Sequence, residues 1–230
     1  SEILRPDNKG KIRSMAANID CMAIVFACVP KPQCNLIDRY LVAAEAQNVS
    51  PILILNKIDL IKDNLASEIQ LLVKKYRRIG YPIIMVSSKT GKGMSILEEY
   101  LCKRTVIFSG QSGVGKTSLL NYLLPSANSP VRELSSKTDQ GAHTTVASRL
   151  YRLRSGGKII DSPGIREFSL NHLDKNYIIE SFIDFRPFLG LCKFRDCTHN
   201  NEASCALLKA VREKLILDER LQSYHKIMDS

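Results

Sequence analysis

The stretch "RTVIFSGQSGVGKTSLLN", residues 104–121, decides the fold. Up to Gly110 it is an apolar run of strand length, then a glycine-rich turn, and from Lys116 onward a helix. Gly110, Gln111, Ser112, Gly113, Val114, Gly115, Lys116 and Thr117 fit the pattern G-x-x-x-x-G-K-[ST] at every position, with Ser118 completing the first helical turn. Glycines at such positions let backbone N–H groups turn inward around phosphates, where a side chain would obstruct them. Lys116 would set a point charge near the β- and γ-phosphates, and the Thr117 hydroxyl would ligate magnesium. The helix N-terminus behind them adds its partial positive charge. Such a loop usually opens its domain, yet about a hundred residues come first here.

Those preceding residues hold the same kind of architecture. "CMAIVFACV" (21–29) and "PILILN" (51–56) are continuous apolar runs, as parallel strands buried on both faces require. Helical spacing covers 35–48 and 65–79, a strand is expected over 81–88, and a helix from Met94 to Leu101. Beyond the phosphate loop come a long polar loop (125–144), an alternating antiparallel strand (145–153) and a short buried strand (157–161). Strands alternating with helices predict an α/β fold, a mostly parallel sheet between helical layers. After about residue 170 strands vanish and the pattern becomes helical around a Cys/His cluster. The expected division is therefore 1–17, a polar and basic remnant or linker; 18–170, the nucleotide domain; and 171–230, a small helical metal-binding domain.

Three further motifs sit at predicted strand ends. In "DSPG" (161–164), Asp161 would hold magnesium through water and Gly164 would offer an N–H to a γ-phosphate. In "NKID" (56–59), Asn56 and Lys57 precede Asp59, whose carboxylate can accept two hydrogen bonds from N1 and N2 of guanine. "SSKTG" (87–91), with Ser87, Ser88 and Lys89, closes the next strand, where a second base-contacting loop belongs. A site of paired polar groups rejects the wrong base by roughly 10⁴–10⁵, which points to GTP over ATP.

Composition narrows the setting. The chain has 230 residues, 44% of them apolar, and a net charge of +10, which suits a polyanionic partner. No apolar run is long enough for a membrane span, and the first residues lack a signal-peptide pattern. Of the seven cysteines, Cys21, Cys28, Cys34 and Cys102 are scattered and read as small buried hydrophobes. The others form Cys192-x₄-Cys197-x-His199-x₅-Cys205, three thiols and an imidazole, a ligand set of the kind structural zinc takes. His172 and His225 read as surface residues.

Together these segments resemble the phosphate, magnesium and guanine motifs of translation-factor-class GTPases in rotated order: N-K-I-D, S-S-K, phosphate loop, threonine, D-S-P-G. With the C-terminal Cys/His pattern, the chain is similar to the ribosome small-subunit-dependent GTPases, the RsgA/YjeQ family. That resemblance implies a circularly permuted GTPase domain, a C-terminal zinc domain and an N-terminal OB-fold barrel, of which residues 1–15 could supply only the last strand. It also implies a magnesium-dependent GTPase that converts GTP to GDP and phosphate during maturation of the small (30S) ribosomal subunit. The expected partners are that subunit and its rRNA, the setting is cytoplasmic, and the chain is a monomer away from membranes. Thr145 is the expected switch threonine for magnesium, with Thr144 as the neighbouring alternative. Ile165 follows Gly164 and cannot orient water, so His143 is the candidate for that task, alongside Lys116 and Thr145 in the catalytic group. Two other readings stay open: a phosphotransferase using the same loop, and a nucleotide-gated binding module with vestigial hydrolysis.

Overall fold

The computed structural model describes residues 2–6, 12–124, 132–134, 148–161, 170 and 173–229. Strand β3 (Cys21–Ala27) is buried at every position, with β4 (Ser50–Asn56) parallel on one side and β6 (Thr105–Gly110) parallel on the other. The seven-stranded sheet runs β5 (Ile83–Met85), β4, β3, β6, β9 (Lys158–Asp161), β8 (Ser148–Arg152), β7 (Arg132–Leu134). Pairing is parallel from β5 through β9 and antiparallel for β9–β8 and β8–β7. The phosphate-loop strand β6 is thus central in space although it is late in the chain.

The twofold period of the strands divides the core. Met22, Ile24 and Phe26 of β3, with Leu53 and Leu55 of β4, face a layer containing α1 (Cys34–Ala46) and α2 (Asp63–Ile79). Ala23, Val25, Ile52 and Ile54 face the other way, against α3 (Met94–Leu101) and α4 (Lys116–Leu123). An apolar residue on either side of a strand therefore finds a helix, which is why these strands read as unbroken apolar runs.

The C-terminal region adds α5 (Lys175–Glu180), α6 (Ala206–Arg212) and α7 (Asp218–Met228). Its apolar residues continue the α1 layer: Phe182, Phe185, Leu207, Leu221, Tyr224 and Ile227 join one buried cluster with Ile37, Tyr40 and Leu41. Phe182 and Phe185 stack with centroids 4.7 Å apart, and Tyr224 meets both edge-on. Each such side chain stabilises the packing by about 1.5–3 kcal/mol.

Inside that contact sits a charge. Arg220 of α7 is 0% exposed; its Nη1 lies 2.7 Å from Asp38 Oδ1 of α1, itself 0% exposed. Its Nε and Nη2 donate to the two carboxylate oxygens of Asp184 at 3.2 and 2.8 Å, and its guanidinium stacks 4.4 Å from the Phe182 centroid. Tyr76 of α2 donates its hydroxyl to Asp38 Oδ1 at 2.8 Å. Burial opposes the charge on Arg220, but Asp38 and Asp184 outweigh it and hold the group charged, above its ordinary range.

Several expectations shift at their edges. The N-terminal segment forms two antiparallel strands, β1 (Glu2–Pro6) and β2 (Ile12–Ala17), where the sequence suggested at most one. Polar, basic strands lack the apolar alternation that makes a strand legible. The 81–88 strand is assigned only at Ile83–Met85, although the Val86 N–H still bonds to the Leu55 carbonyl. Part of the long polar loop, Arg132–Leu134, is one of the sheet's edge strands.

Candidate functional site

The predicted motifs converge at the carboxyl ends of the parallel strands, where ligands bind in open α/β sheets. β4 delivers 56–59, β5 leads to 87–91, and β6 leads to 110–117. The sequence separates the first from the last by more than fifty residues; the sheet makes them neighbours through two side chains.

Asn56 is 0% exposed. Its Nδ2 donates to the Val114 carbonyl at 3.0 Å, and its Oδ1 accepts the Ser88 N–H at 3.2 Å. Lys57 adopts a left-handed backbone, φ 62°, and its Nζ donates to the carbonyls of Gly113 at 2.6 Å and Val29 at 2.9 Å. Grouped from sequence with the nucleotide contacts, Asn56 and Lys57 also bind protein: they tie the base-recognition loop to the phosphate loop. Asp59 is exposed; one of its oxygens, Oδ1, accepts the Ser87 hydroxyl, whose Oγ accepts the Thr90 N–H at 3.1 Å. Lys89 is exposed beside it.

Two glycines of the loop are sterically compelled. A Cβ on Gly110 (φ 133°) would lie 2.0 Å from the Val25 carbonyl oxygen, and one on Gly115 (φ 90°) 2.5 Å from Asn56 Nδ2. Val114 is a core residue, 1% exposed, so only its backbone is available to a ligand. Lys116 Nζ donates to the carbonyls of Gly110 and Gln111, each at 2.6 Å, which holds the ammonium across the loop. Ser112, Gly113, Thr117 and Ser118 are exposed around it. The glycine cradle, the ammonium and the exposed Thr117 hydroxyl suit a nucleotide triphosphate with magnesium. Asp161 ends β9, beside the phosphate-loop strand. The expectations for His143, Thr144, Thr145, Gly164 and Ile165 lie outside the described residues, as does that for His172.

The second site is intact. The ligand atoms of Cys192, Cys197, His199 and Cys205 all lie within 4.8 Å of one another. His199 Nδ1 stands 3.6 Å from Cys192 Sγ and 3.4 Å from Cys205 Sγ, and those sulfurs are 3.9 Å apart. Tetrahedral zinc with Zn–S near 2.3 Å and Zn–N near 2.0 Å needs about 3.5 Å for S···N and about 3.8 Å for S···S, so the donor set fits that ion. The Ala206 and Leu208 N–H groups donate to the sulfurs of Cys192 and Cys205, support suited to thiolates. Burial and the neighbouring thiols push Cys197 up to about 12, and burial lowers His199.

Three supporting residues escaped the sequence reading. The Glu202 carboxylate takes the Thr198 N–H and hydroxyl on one oxygen and the Asn200 and Asn201 N–H groups on the other, fixing the loop between ligands. His225, expected at the surface, is partly buried with Nε2 3.2 Å from the His199 carbonyl. Arg220 interrupts the apolar stripe of α7, between Leu217 and Leu221, and that interruption was the available signal.

A phosphate loop on the central strand, a base loop tied to it, and the order of the two reversed along the chain define a circularly permuted P-loop GTPase. The family model for "RsgA GTPase" matches residues 1–171. A Pseudomonas putida protein named "Small ribosomal subunit biogenesis GTPase RsgA" is 49% identical over all 230 residues, which span 67% of its length. The Azotobacter vinelandii protein of that name is likewise 49% identical, with the same coverage. Among solved structures, YjeQ from Thermotoga maritima superposes with a TM-score of 0.77 at 28% identity, covering 97% of this chain and 80% of that one. YloQ, described as a circularly permuted GTPase, gives 0.75 at 29%, covering 99% and 78%. The chain belongs to the RsgA GTPase family and is a GTP hydrolase, which sets aside the phosphotransferase reading.

Proposed function

We propose that the chain binds GTP across the strand ends, hydrolyses it to GDP and phosphate, and uses that step as a switch in biogenesis of the small ribosomal subunit. The observation that carries this is the Asn56–Lys57 tie. Two side chains from the base loop end on the backbone of Gly113 and Val114, so base occupancy and phosphate-loop geometry are set by one rigid unit. The names of the 49%-identical relatives support the ribosomal role, and the +10 charge supports contact with rRNA. The cytoplasm is the setting that goes with this role, and the working unit is a monomer.

Each residue then has a task. Asp59 accepts the guanine N1 and N2 hydrogens, with the Ser87–Lys89 loop covering the base. Backbone N–H groups of Gly110–Gly115 surround the phosphates, Lys116 neutralises the β- and γ-oxygens, and Ser118 closes the cradle. Thr117, Thr145 and Asp161 would hold magnesium, which when bound neutralises charge developing on the phosphates. Gly164 senses the γ-phosphate by its N–H, and His143 orients the attacking water. Cys192, Cys197, His199 and Cys205 hold one structural zinc per chain.

The test compares GTP with ATP binding and follows co-sedimentation with purified small subunits in each nucleotide state. The expected result is strong preference for GTP, loss of that preference in Asp59→Ala, and subunit binding that differs between GTP and GDP. Equal binding of GTP and ATP by the intact chain overturns the reading.

A further inference from the structure

Between Cys192 and Cys197, Lys193, Phe194, Arg195 and Asp196 are all exposed. Leu191 is 66% and Phe194 52% exposed, and the exposed Lys193 and Arg195 flank Phe194 in the chain. Single exposed apolar residues are ordinary. Here two large ones fall within four residues, interleaved with cations, on a finger, 191–196, held by the metal-ligand cysteines Cys192 and Cys197. The finger is also set in place before any partner arrives. Its Lys193 N–H reaches the Ser204 carbonyl, Ala206 N–H reaches Cys192 Sγ, and Glu202 binds four donors of the following loop. The Lys193 ammonium stands 5.6 Å from the Phe194 centroid.

We infer that the finger 191–196 is a stacking platform for unpaired nucleotides of an RNA strand. A base lies on the Phe194 ring beside Leu191, and Lys193 and Arg195 take the phosphates on either side. The inference rests on the rRNA reading above and assigns part of that contact to named residues. Unpaired bases are the feature RNA-binding modules hold by aromatic stacking, which tolerates any base because each has a π-face. A purely apolar protein contact has no use for the exposed cations that flank Phe194 in the chain. A chain of net charge +10 favours the polyanion.

The chain contains no tryptophan, so Phe194→Trp introduces a single reporter at the platform. With the zinc-loaded chain and a fluorescein-labelled single-stranded oligoadenylate of about twelve nucleotides, Phe194→Ala should bind about 5- to 150-fold more weakly. Phe194→Trp should bind at least as tightly as the unmodified chain, with its emission quenched by the stacked base. Lys193→Ala or Arg195→Ala should flatten the dependence of log affinity on log salt by about 0.7 each. Unchanged affinity in Phe194→Ala, or unquenched tryptophan in an RNA-bound Phe194→Trp chain, overturns the inference. So does a Phe194→Ala chain that keeps oligonucleotide affinity but loses small-subunit binding, which would make the patch a protein contact. GTP turnover measured on the same preparations separates the two proposals. A chain unstimulated by subunits fails the ribosomal reading, while the oligonucleotide data still judge the platform.

Discussion

Replacing Arg220 by methionine removes the cation that joins α7 to α1. Arg220 and Asp38 are both 0% exposed, and Asp184 is nearly so on its side chain, at 11%. The substitution keeps much of the apolar bulk against Phe182 but leaves two carboxylates enclosed without their cation. Breaking a buried pair in this way costs about 3–5 kcal/mol, because the remaining charge is neither solvated nor paired. For a chain of this size 1 kcal/mol moves the melting temperature by about 2–4 °C, so the transition should fall by about 6–20 °C. Asp38→Asn should cost less, about 1–3 kcal/mol, since Arg220 keeps both bonds to Asp184. Arg220→Met with Asp38→Leu should recover much of the loss, because an apolar pair replaces the broken one. Thermal and urea denaturation followed by circular dichroism read all three. A cost below about 1 kcal/mol for Arg220→Met, or strict additivity in the double variant, would show that the buried pair does not hold α7 to α1.

Other outcomes follow from the two sites. Gly115→Ala places a methyl 2.5 Å from Asn56 Nδ2 at φ 90°, a strain of about 1–3 kcal/mol, and should weaken GTP binding roughly 5- to 150-fold by equilibrium titration. Zinc affinity should rise with pH across the neutral range. Burial and neighbouring thiols hold Cys197 protonated up to about 12, so metal binding must release that proton, while His199, lowered by burial, binds as the neutral imidazole. Competition with a chromophoric chelator should show at least about a tenfold gain per pH unit, and a flat profile would contradict it. Glu202→Ala frees four donors of the ligand loop and should speed zinc transfer to a chelator by about tenfold.

The phosphate loop, the β3 and β4 strands and the Cys/His cluster were legible because each is a local pattern: spacing, apolar run or ligand type. The parallel order of the sheet followed from the crossover helices. What escaped were relations between segments. The tie made by Asn56 and Lys57 was not legible, since no periodicity reveals that their donors end on Val114 and Gly113, more than fifty residues away. Arg220 and Asp38 sit in helices whose apolar stripes they interrupt, but the partner of a buried charge is chosen by packing that spacing does not encode. His225 looked unattached because its partner is a backbone carbonyl, to which a sequence pattern is blind. The β1–β2 pair was missed because its strands are polar and short of alternation.

The permuted site is, on the proposal above, a working switch answered by the ribosome. Phosphate release from GTP should be measured with the zinc-loaded chain alone and with purified small ribosomal subunits, alongside His143→Ala. Turnover should be slow alone, accelerate roughly 10³–10⁵-fold with the subunit, and lose that acceleration in His143→Ala with GTP affinity retained. Turnover that is the same with and without subunits would contradict the proposal.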